Sequence, residues 1–346
     1  MNLTHFKFYG KEEVLQQTRL RKFETKLGEV VQTMQPGISV QKELDQSTAG
    51  YVVFGIPEDI GIKANLGSAT SRGAWNAFLD AFLNTQSNDF LEGEEVLLLG
   101  HFDFTEVEEL VEQMALNADE KTGAYRHAVN SIDDAVEGLV KLIVASDKIP
   151  IVIGGGHNNA YPCIKGAAKG LAQTGQVAIP QINAINLDAH SGYAPTEGRH
   201  SGNAFRYAEE DGYLEKYCVV GIQEACLPQN VWMDIVNNPF TDCITFEDIY
   251  VRNKRSFVAA VEHAIDFTDD THVGIELDMN ILQQVEGING ITAMHARQYL
   301  NLCGRAAKVA YLHIAEGAGP QTTASVGQLT AYLVSDFVKA VEEIRD

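Results

Sequence analysis

Short segments with the composition of β-strands alternate with helix-length segments along most of this chain, and this alternation constrains the fold most strongly. We predict strands at residues 51–55, 95–99, 150–153, 182–187, 217–221, 243–246, 272–277 and 309–314. We predict helices near residues 72–84, 125–146, 248–267, 296–307 and 326–344, with an Ala-rich helix after Tyr161. Strands separated by helices of this length pair in parallel, in one sheet covered on both faces. The expected fold is a three-layer α/β/α architecture with a mostly parallel central sheet.

The first 45 residues do not follow this alternation. Charged and apolar residues mix at helical spacing between about residues 11 and 34, and Pro36 and Gly37 interrupt that pattern. We therefore expect residues 1–45 to form an N-terminal helical extension outside the main fold. Residues 46–346 contain no internal repeat, low-complexity tract or clear linker, so we predict one catalytic domain there.

The composition restricts the class of partner and the compartment. The formal net charge is −21, and such an acidic surface repels nucleic-acid phosphates and anionic lipids, so we expect no nucleic acid and no membrane as partner. The five cysteines form no closely spaced pair, which favours a reducing, cytoplasmic location over a disulfide framework. The N-terminus lacks the apolar run of a signal peptide.

Polar and ionisable side chains collect where four of the predicted strands end. In chain order they are His157, Asp188, His190, Glu276, Asp278 and Glu316. Ligands of parallel α/β sheets bind beyond the carboxyl ends of the strands, which all lie at one edge. We therefore expect these side chains to line a single cleft.

The alternation of side chains within these strands points to a bound cation. Residues i and i+2 share a face of a strand, so Asp188 pairs with His190, and Glu276 with Asp278. Both faces should be buried, where an unpaired carboxylate costs on the order of several kcal/mol. Lys and Arg are sparse in these segments, so a metal ion is the simplest counter-charge. Carboxylates and imidazoles without thiolates suit Mn²⁺ and, less specifically, Zn²⁺, Fe²⁺ or Ni²⁺.

Four motifs in this order resemble those of the ureohydrolase family of arginases, agmatinases and formimidoylglutamases. They are GGGHNNAYP at 154–162, DAHSG at 188–192, ELD at 276–278 and HIAEGAGP at 313–320. Each motif alone has low to moderate specificity, but order and spacing match across residues 50–340. The loop at 200–208, HSGNAFRYA, is more similar to the formimidoylglutamases, since the arginases have a His where this chain has Phe205.

The resemblance implies a metal-dependent hydrolase of C–N bonds in linear amidines. Its best match is formimidoylglutamase, which converts N-formimidoyl-L-glutamate to glutamate and formamide in histidine breakdown. It implies one metal held by His157, Asp188 and Glu276, and a second held by Asp188, His190, Glu276 and Asp278. A metal-activated water would attack the amidine carbon beside Asp188.

The resemblance also assigns residues to the substrate. Glu316 would hold the amidinium group through charge-assisted hydrogen bonds. Asn203 and Arg206 lie on the loop that would meet the distal end of the amidine or guanidine substrate. Ureohydrolases assemble as homo-oligomers, so the resemblance implies a homo-oligomer here.

Two positions depart from the family pattern. Gly192 stands where the family has the second Asp of its DAHxD motif, and Glu276 stands where it has the first Asp of D-x-D. Loss of one carboxylate weakens the metal site that His157 serves, so we expect one Mn²⁺, or none, rather than two. Two alternatives stay open: a catalytically weakened paralogue that acts as a binding or regulatory protein, and a deacetylase-like single-metal hydrolase with the same fold.

Overall fold

The computed structural model describes residues 3–68, 71–114, 117–282, 290–306, 308–317 and 324–345. Its strands are β1 (Phe6–Phe8), β2 (Gln32–Thr33), β3 (Tyr51–Gly55), β4 (Val96–Phe102), β5 (Ile149–Ile153), β6 (Ile182–Leu187), β7 (Leu214–Ile222), β8 (Thr241–Thr245), β9 (Val273–Asp278) and β10 (Val309–Ala315). Across the described ranges they form one sheet in the order β1-β4-β3-β5-β10-β9-β6-β7-β8, with β2 beside β4. Only the β1–β4 pairing among these is antiparallel.

Helices cover both faces of this sheet. They are α1 (Lys11–Gln17), α2 (Leu27–Val30), α3 (Val40–Gln46), α4 (Ile60–Ala64), α5 (Ala74–Phe82), α6 (Thr105–Met114), α7 (Ala118–Ala145), α8 (Ala160–Gln173), α9 (Ala204–Glu210), α10 (Gln229–Asn237), α11 (Phe246–Tyr250), α12 (Phe257–Thr268), α13 (Ala293–Gly304) and α14 (Ala324–Arg345). The predicted three-layer α/β/α fold with a mostly parallel sheet is confirmed.

The side-chain alternation of the strands divides the interior into two hydrophobic cores. On β3, Tyr51 and Val53 pack in the core that contains α5, α12, α13 and α14. The intervening Val52 and Phe54 pack in the other core, with α7 and α8. Because every second residue faces each layer, an apolar run such as YVVFG is buried on both sides.

The N-terminal segment differs from the helical extension expected for residues 1–45. Its helices α1, α2 and α3 are short, and two strands accompany them. Strand β1 pairs antiparallel with β4, and β2 pairs parallel with β4, so the segment extends the edge of the main sheet. The boundary between residues 45 and 46 stays a prediction.

The helix predicted near residues 248–267 is two helices, α11 and α12. Asn253 adopts a positive φ of 50° between them, which a continuing helix does not allow. The side chain of Ser256 then accepts a hydrogen bond from the backbone N–H of Ala259 and starts α12. Within the described ranges, no helix has the length and apolar character that a membrane crossing requires.

Candidate active site

The four strands that end in the predicted site residues are neighbours at the centre of the sheet, in the order β5, β10, β9 and β6. This order brings His157, Asp188 and Asp278 into contact. The Nδ1 atom of His157 lies 3.1 Å from Asp188 Oδ2 and 3.4 Å from Asp278 Oδ2. All three side chains are buried. The expectation that distant acidic and imidazole groups meet at one edge therefore agrees with the structure.

A glycine turn and a buried carboxylate place His157. Gly155, which follows β5, has a φ of +75°, and a Cβ there would lie 2.7 Å from the carbonyl oxygen of Ile56. Glu58, which is fully buried, accepts hydrogen bonds from the backbone N–H of Gly156 at 3.0 Å and from Asn159 Nδ2 at 2.8 Å. The sequence reasoning missed Glu58, which ties this turn to the loop after β3.

The cleft above the strand ends has a volume of about 520 Å³. Charged residues that line it are Asp188, Asp278 and Glu316, and hydroxyl and amide groups are contributed by Asn65, Ser68, Ser71, Ser191, Ser201 and Asn280. Among the described lining residues there is no Lys or Arg. The ranges left undescribed contain neither residue type, so every basic side chain of the protein has a described position.

His190 lies in the cleft but stands apart from the buried cluster. Its side chain is 56% exposed, and its Nδ1 atom lies 3.7 Å from Asp188 Oδ1. Its backbone N–H donates to the same oxygen at 2.8 Å. The nearby carboxylate of Asp188, which accepts from the protonated imidazole, raises the pKa of His190 to about 10. His190 is thus placed to join Asp188 at the mouth of the site.

Glu316 lies beside His157 in a strained backbone conformation, with a φ of +55°. Its Oε1 accepts a hydrogen bond from the backbone N–H of His157 at 3.1 Å, and its Oε2 accepts one from Asn280. Burial and the nearby charge of Asp278 raise the pKa of Glu316 to about 8. This pKa leaves the carboxyl ready to lose its proton when a cation enters the cleft.

Glu276 is not at the cleft. Its side chain turns into the sheet, where Tyr311 donates a hydrogen bond to Oε1 at 2.7 Å and His313 Nδ1 lies 2.7 Å from Oε2. The Nε2 atom of His157 also lies 3.2 Å from Oε2. Glu276 therefore meets His157 from the side opposite to Asp188, unlike the shared ligand position that the resemblance implied.

The structure gives Asn203 and Arg206 roles other than contact with a substrate. Asn203 is fully buried and donates hydrogen bonds to the carbonyl oxygens of Pro195 and Gly198, at 3.1 and 2.9 Å. Arg206 NH1 donates to Asp234 Oδ2 at 2.7 Å. Neither lines the described part of the cleft, because Asn203 folds its own loop and Arg206 is neutralised on α9.

Gly192 and Phe205 explain the departure in the DAHSG motif. Gly192 has a φ of +58°, and a Cβ there would lie 2.5 Å from Phe205 Cδ2. The Phe205 ring stacks on Tyr217 with centroids 4.3 Å apart and meets His157 edge-on at 5.4 Å. An aromatic ring thus fills the space that a side chain at position 192 would enter. An Asp at 192 would need Phe205 to move.

The donor atoms that face the cleft fit one divalent cation. His157 Nδ1 and one oxygen each of Asp188 and Asp278 lie within 4.8 Å of one another. One imidazole and two carboxylates, without a thiolate, suit Mn²⁺ among other divalent ions. Burial lowers the pKa of His157, but its three carboxylate neighbours outweigh this and raise it well above its ordinary value. The cluster therefore requires a positive charge at its centre, from a metal ion or a proton.

Two further residues, Tyr311 and His313, escaped the sequence reasoning. They alternate on β10 and share one of its faces, as Glu276 and Asp278 do on β9. His313 opens the quoted motif HIAEGAGP, so two polar residues at i and i+2 in an otherwise apolar strand were the available signal.

Comparison with known proteins finds relatives in sequence over part of the chain. The chain is similar to the formimidoylglutamase of Streptococcus pyogenes, with 25% identity over 184 residues, which cover 51% of this chain and 53% of that protein. The chain thus spans about half the length of the curated relatives it matches.

Solved structures show the same fold. The formimidoylglutamase of Bacillus subtilis superposes with a TM-score of 0.70 at 17% identity, covering 94% of each chain. The formiminoglutamase of Trypanosoma cruzi, solved with Mn²⁺, superposes with a TM-score of 0.67 at 20% identity, covering 92% of this chain and 98% of that one. The model of the arginase family matches residues 49–340. This match spans most of the sequence and includes every strand-end motif, and the chain therefore belongs to the arginase family.

Proposed function

We propose that this protein is a metal-dependent hydrolase of C–N bonds in linear amidines, with one divalent ion at His157, Asp188 and Asp278. The contact of these three buried side chains at the carboxyl ends of central strands is the observation that carries the proposal. His190 is placed to contribute from the cleft mouth. When bound, the ion would supply a water with a pKa near neutrality as the nucleophile.

Glu316 and Asn280 are the groups that would bind the amidinium. Glu316 already accepts hydrogen bonds from His157 N–H and Asn280, which fix its carboxylate at the cleft. An amidinium placed against it would donate charge-assisted hydrogen bonds to the carboxylate oxygens and would favour the ionised form of Glu316. Asp188, which burial alone would protonate, is kept ionised because His157 and His190 lower its pKa.

N-formimidoyl-L-glutamate is the first substrate to test, because the relatives that this chain matches carry the name formimidoylglutamase. Its products would be glutamate and formamide, which places the reaction in histidine breakdown. With no Lys or Arg among the described lining residues, its carboxylates would be met by the serine hydroxyls and the amides of Asn65 and Asn280. Agmatine, arginine and guanidinobutyrate are the comparison substrates.

The test is an assay of protein incubated with Mn²⁺ for release of formamide or urea. Turnover should depend on Mn²⁺ and should disappear in Asp188→Asn. A matched control is Asp211→Asn, since Asp211 accepts a hydrogen bond from Tyr161 away from the cleft. No turnover of any of the four substrates by Mn²⁺-loaded protein would reject the proposal.

Manganese is the first metal to test, because the donor set suits it and the Trypanosoma cruzi structure was solved with Mn²⁺. One ion is expected rather than two, since Gly192 offers no ligand and Glu276 turns away from the cleft. We also propose a cytoplasmic homo-oligomer with no nucleic-acid or membrane partner, on the grounds of composition and family resemblance.

The second candidate is a binding or regulatory paralogue that holds no metal. The packing of Phe205 against Gly192 and His157 favours it, because this aromatic cluster closes one side of the site. A protonated His157 would then satisfy the carboxylates. Elemental analysis after incubation with Mn²⁺ distinguishes the two, since the paralogue would retain no ion.

A further inference from the structure

The imidazole of His157 has two sides, and only one of them belongs to the cleft. Nδ1 faces Asp188 and Asp278, whereas Nε2 lies 3.2 Å from Glu276 Oε2 inside the sheet. Glu276 has no exposed surface and does not line the described cleft. To coordinate an ion bound to Nδ1 of His157, Glu276 would need a carboxylate oxygen on the Nδ1 side of the ring.

Both oxygens of Glu276 are already engaged. Oε1 accepts the hydroxyl hydrogen of Tyr311 at 2.7 Å, and Oε2 lies 2.7 Å from His313 Nδ1. Both partners are on β10, which runs parallel to β9 with His313 in register with Glu276. All three side chains are completely buried. The carboxylate is thus held inward by two contacts that depend on the pairing of β9 with β10.

Gly274 makes room for this arrangement. It lies two residues before Glu276 on the same face of β9, beside Tyr311. A Cβ at Gly274 would lie 2.4 Å from Tyr311 Cε1 and 2.6 Å from the hydroxyl oxygen. Any larger residue would displace the hydroxyl that binds Glu276. The extra methylene of Glu, relative to Asp, is the length that reaches this pocket.

We propose that Glu276 is a positioning residue: it accepts the Nε2 hydrogen of His157 and thereby presents Nδ1 to the ion. Tyr311 and His313 keep its carboxylate turned away from the cleft. The inference rests on the proposed function, because it requires an ion beside Asp188 and Asp278. A hydrogen bond on the far nitrogen fixes the tautomer and orientation of a histidine ligand, and its loss lowers metal affinity by about 10–100-fold.

Titration of the metal-free protein with Mn²⁺, followed by electron paramagnetic resonance of the free ion, tests this inference. We expect one ion in the wild-type protein. In Tyr311→Phe, which leaves every cleft carboxylate intact, the stoichiometry should stay at one while affinity falls by about tenfold. Glu276→Gln should also retain one ion, with a loss of affinity of up to about 100-fold.

The matched control is Tyr299→Phe. Tyr299 is equally buried, and its hydroxyl donates to the backbone carbonyl oxygens of Ile185 and Glu276 rather than to a carboxylate. The two substitutions remove the same atom from opposite faces of the sheet, and both hydroxyls bind Glu276, so a general loss of packing around β9 would affect both. Affinity for Mn²⁺ should be unchanged in Tyr299→Phe.

A second readout is the position of the hydrogen on His157 when an ion occupies Nδ1. Spectra of the protein labelled with ¹⁵N-histidine and loaded with diamagnetic Zn²⁺ should show His157 carrying a hydrogen on Nε2, with its signals assigned by their loss in His157→Asn. An Nε2 without a hydrogen would overturn the inference. So would an ion lost completely in Glu276→Gln while Tyr311→Phe binds normally, because that pattern identifies a direct ligand. Two ions in the wild-type protein and one in Glu276→Gln would overturn it too.

These measurements separate the inference from the proposed function. If the protein binds one ion with the expected dependence on Tyr311 but hydrolyses no amidine, the inference stands and the proposed function is rejected. If it is an active hydrolase whose affinity for Mn²⁺ is unchanged in Tyr311→Phe, the function stands and the inference is rejected. If the wild-type protein binds no ion, both are rejected.

Discussion

Two buried clusters of charged residues lie within the same part of the fold, and they differ in how their charge is balanced. Beneath the loop at 191–203, Arg199 donates to Asp133 at 2.9 Å and to Asn203 at 3.1 Å, and its guanidinium lies 4.5 Å from the centre of the Tyr161 ring. This cluster, here named the loop clamp, contains equal numbers of acids and bases. At the strand ends, carboxylates outnumber the single imidazole that they share.

The difference separates a structural site from the proposed functional one. In the loop clamp, each charge has its partner within the protein, so nothing needs to be added. At the strand ends, the carboxylates of Asp188 and Asp278 converge on His157, and their charge is balanced there by a metal ion or by a proton on this imidazole. Buried charge without an internal partner is costly, and a fold that retains it has a use for an external ligand.

The largest effect is expected from breaking the loop clamp. Arg199→Leu leaves Asp133 buried without its counter-charge, which costs about 3–5 kcal/mol of unfolding free energy. Urea denaturation measures this loss. Adding Asp133→Asn to this variant should recover part of the lost stability, because it removes the unpaired buried charge. Burial already disfavours that charge, raising the pKa of Asp133 to about 6. Equal stability of Arg199→Leu and the wild-type protein would show that the clamp carries no net stabilisation.

The next effect is a dependence of stability on pH from His200, which lies beside the clamp. Burial and the charge of Arg126 lower the pKa of His200 to about 4. The unfolded chain takes up this proton near pH 6.5 and the folded chain only near pH 4, so stability is lost as pH falls through this window. The shift corresponds to about 3 kcal/mol. In His200→Asn, where an amide oxygen replaces the Nδ1 that accepts from Gly202 N–H, the slope should largely disappear.

A smaller effect is expected at Gly192, which packs against Phe205 beside His157. Gly192→Ala imposes both a left-handed backbone on an L-residue and a contact with the Phe205 ring. The matched control is Gly212→Ala, since Gly212 has a φ of +79° with open space around its Cβ position. The Gly192 variant should lose about 2 kcal/mol more than the control by overpacking. Equal losses of stability in the two variants would mean that the Phe205 ring moves away from the added methyl group at no cost in free energy.

The smallest effect on stability, and the sharpest contrast with the clamp, is expected for Asp278→Asn. Removing one of two facing carboxylates relieves repulsion with Asp188, which already raises the pKa of Asp278 together with burial. The metal-free variant should therefore be as stable as the wild-type protein, or more stable by about 1 kcal/mol, with a melting temperature that is equal or slightly higher. Stabilisation by added Mn²⁺ should be lost. A variant that melts earlier without metal would show that Asp278 serves the fold as much as the site.

Much of this could be predicted from sequence because strands have a period of two and parallel strands end at one edge. These rules predict that His157, Asp188 and Asp278 lie together at that edge. The same rules do not predict where the carboxylate of Glu276 lies, because they give the face of the strand on which a side chain lies and not the direction in which it extends from there. The contacts of Asn203 and Arg206 could not be predicted for a different reason. Their positions depend on hydrogen-bond partners elsewhere in the chain, Arg199 and Asp234 respectively, which a local sequence pattern does not identify.

The layer architecture, the parallel sheet and the edge at which the acidic groups gather can all be read from the order of residues along the chain. Those properties follow from local periodicity and from the order of polar residues at strand ends. The packing of Phe205 beside Gly192, and the inward turn of Glu276 toward Tyr311 and His313, become visible in the folded protein alone. The physical reason is that close packing selects one direction for each buried side chain, and its neighbours come from remote parts of the chain.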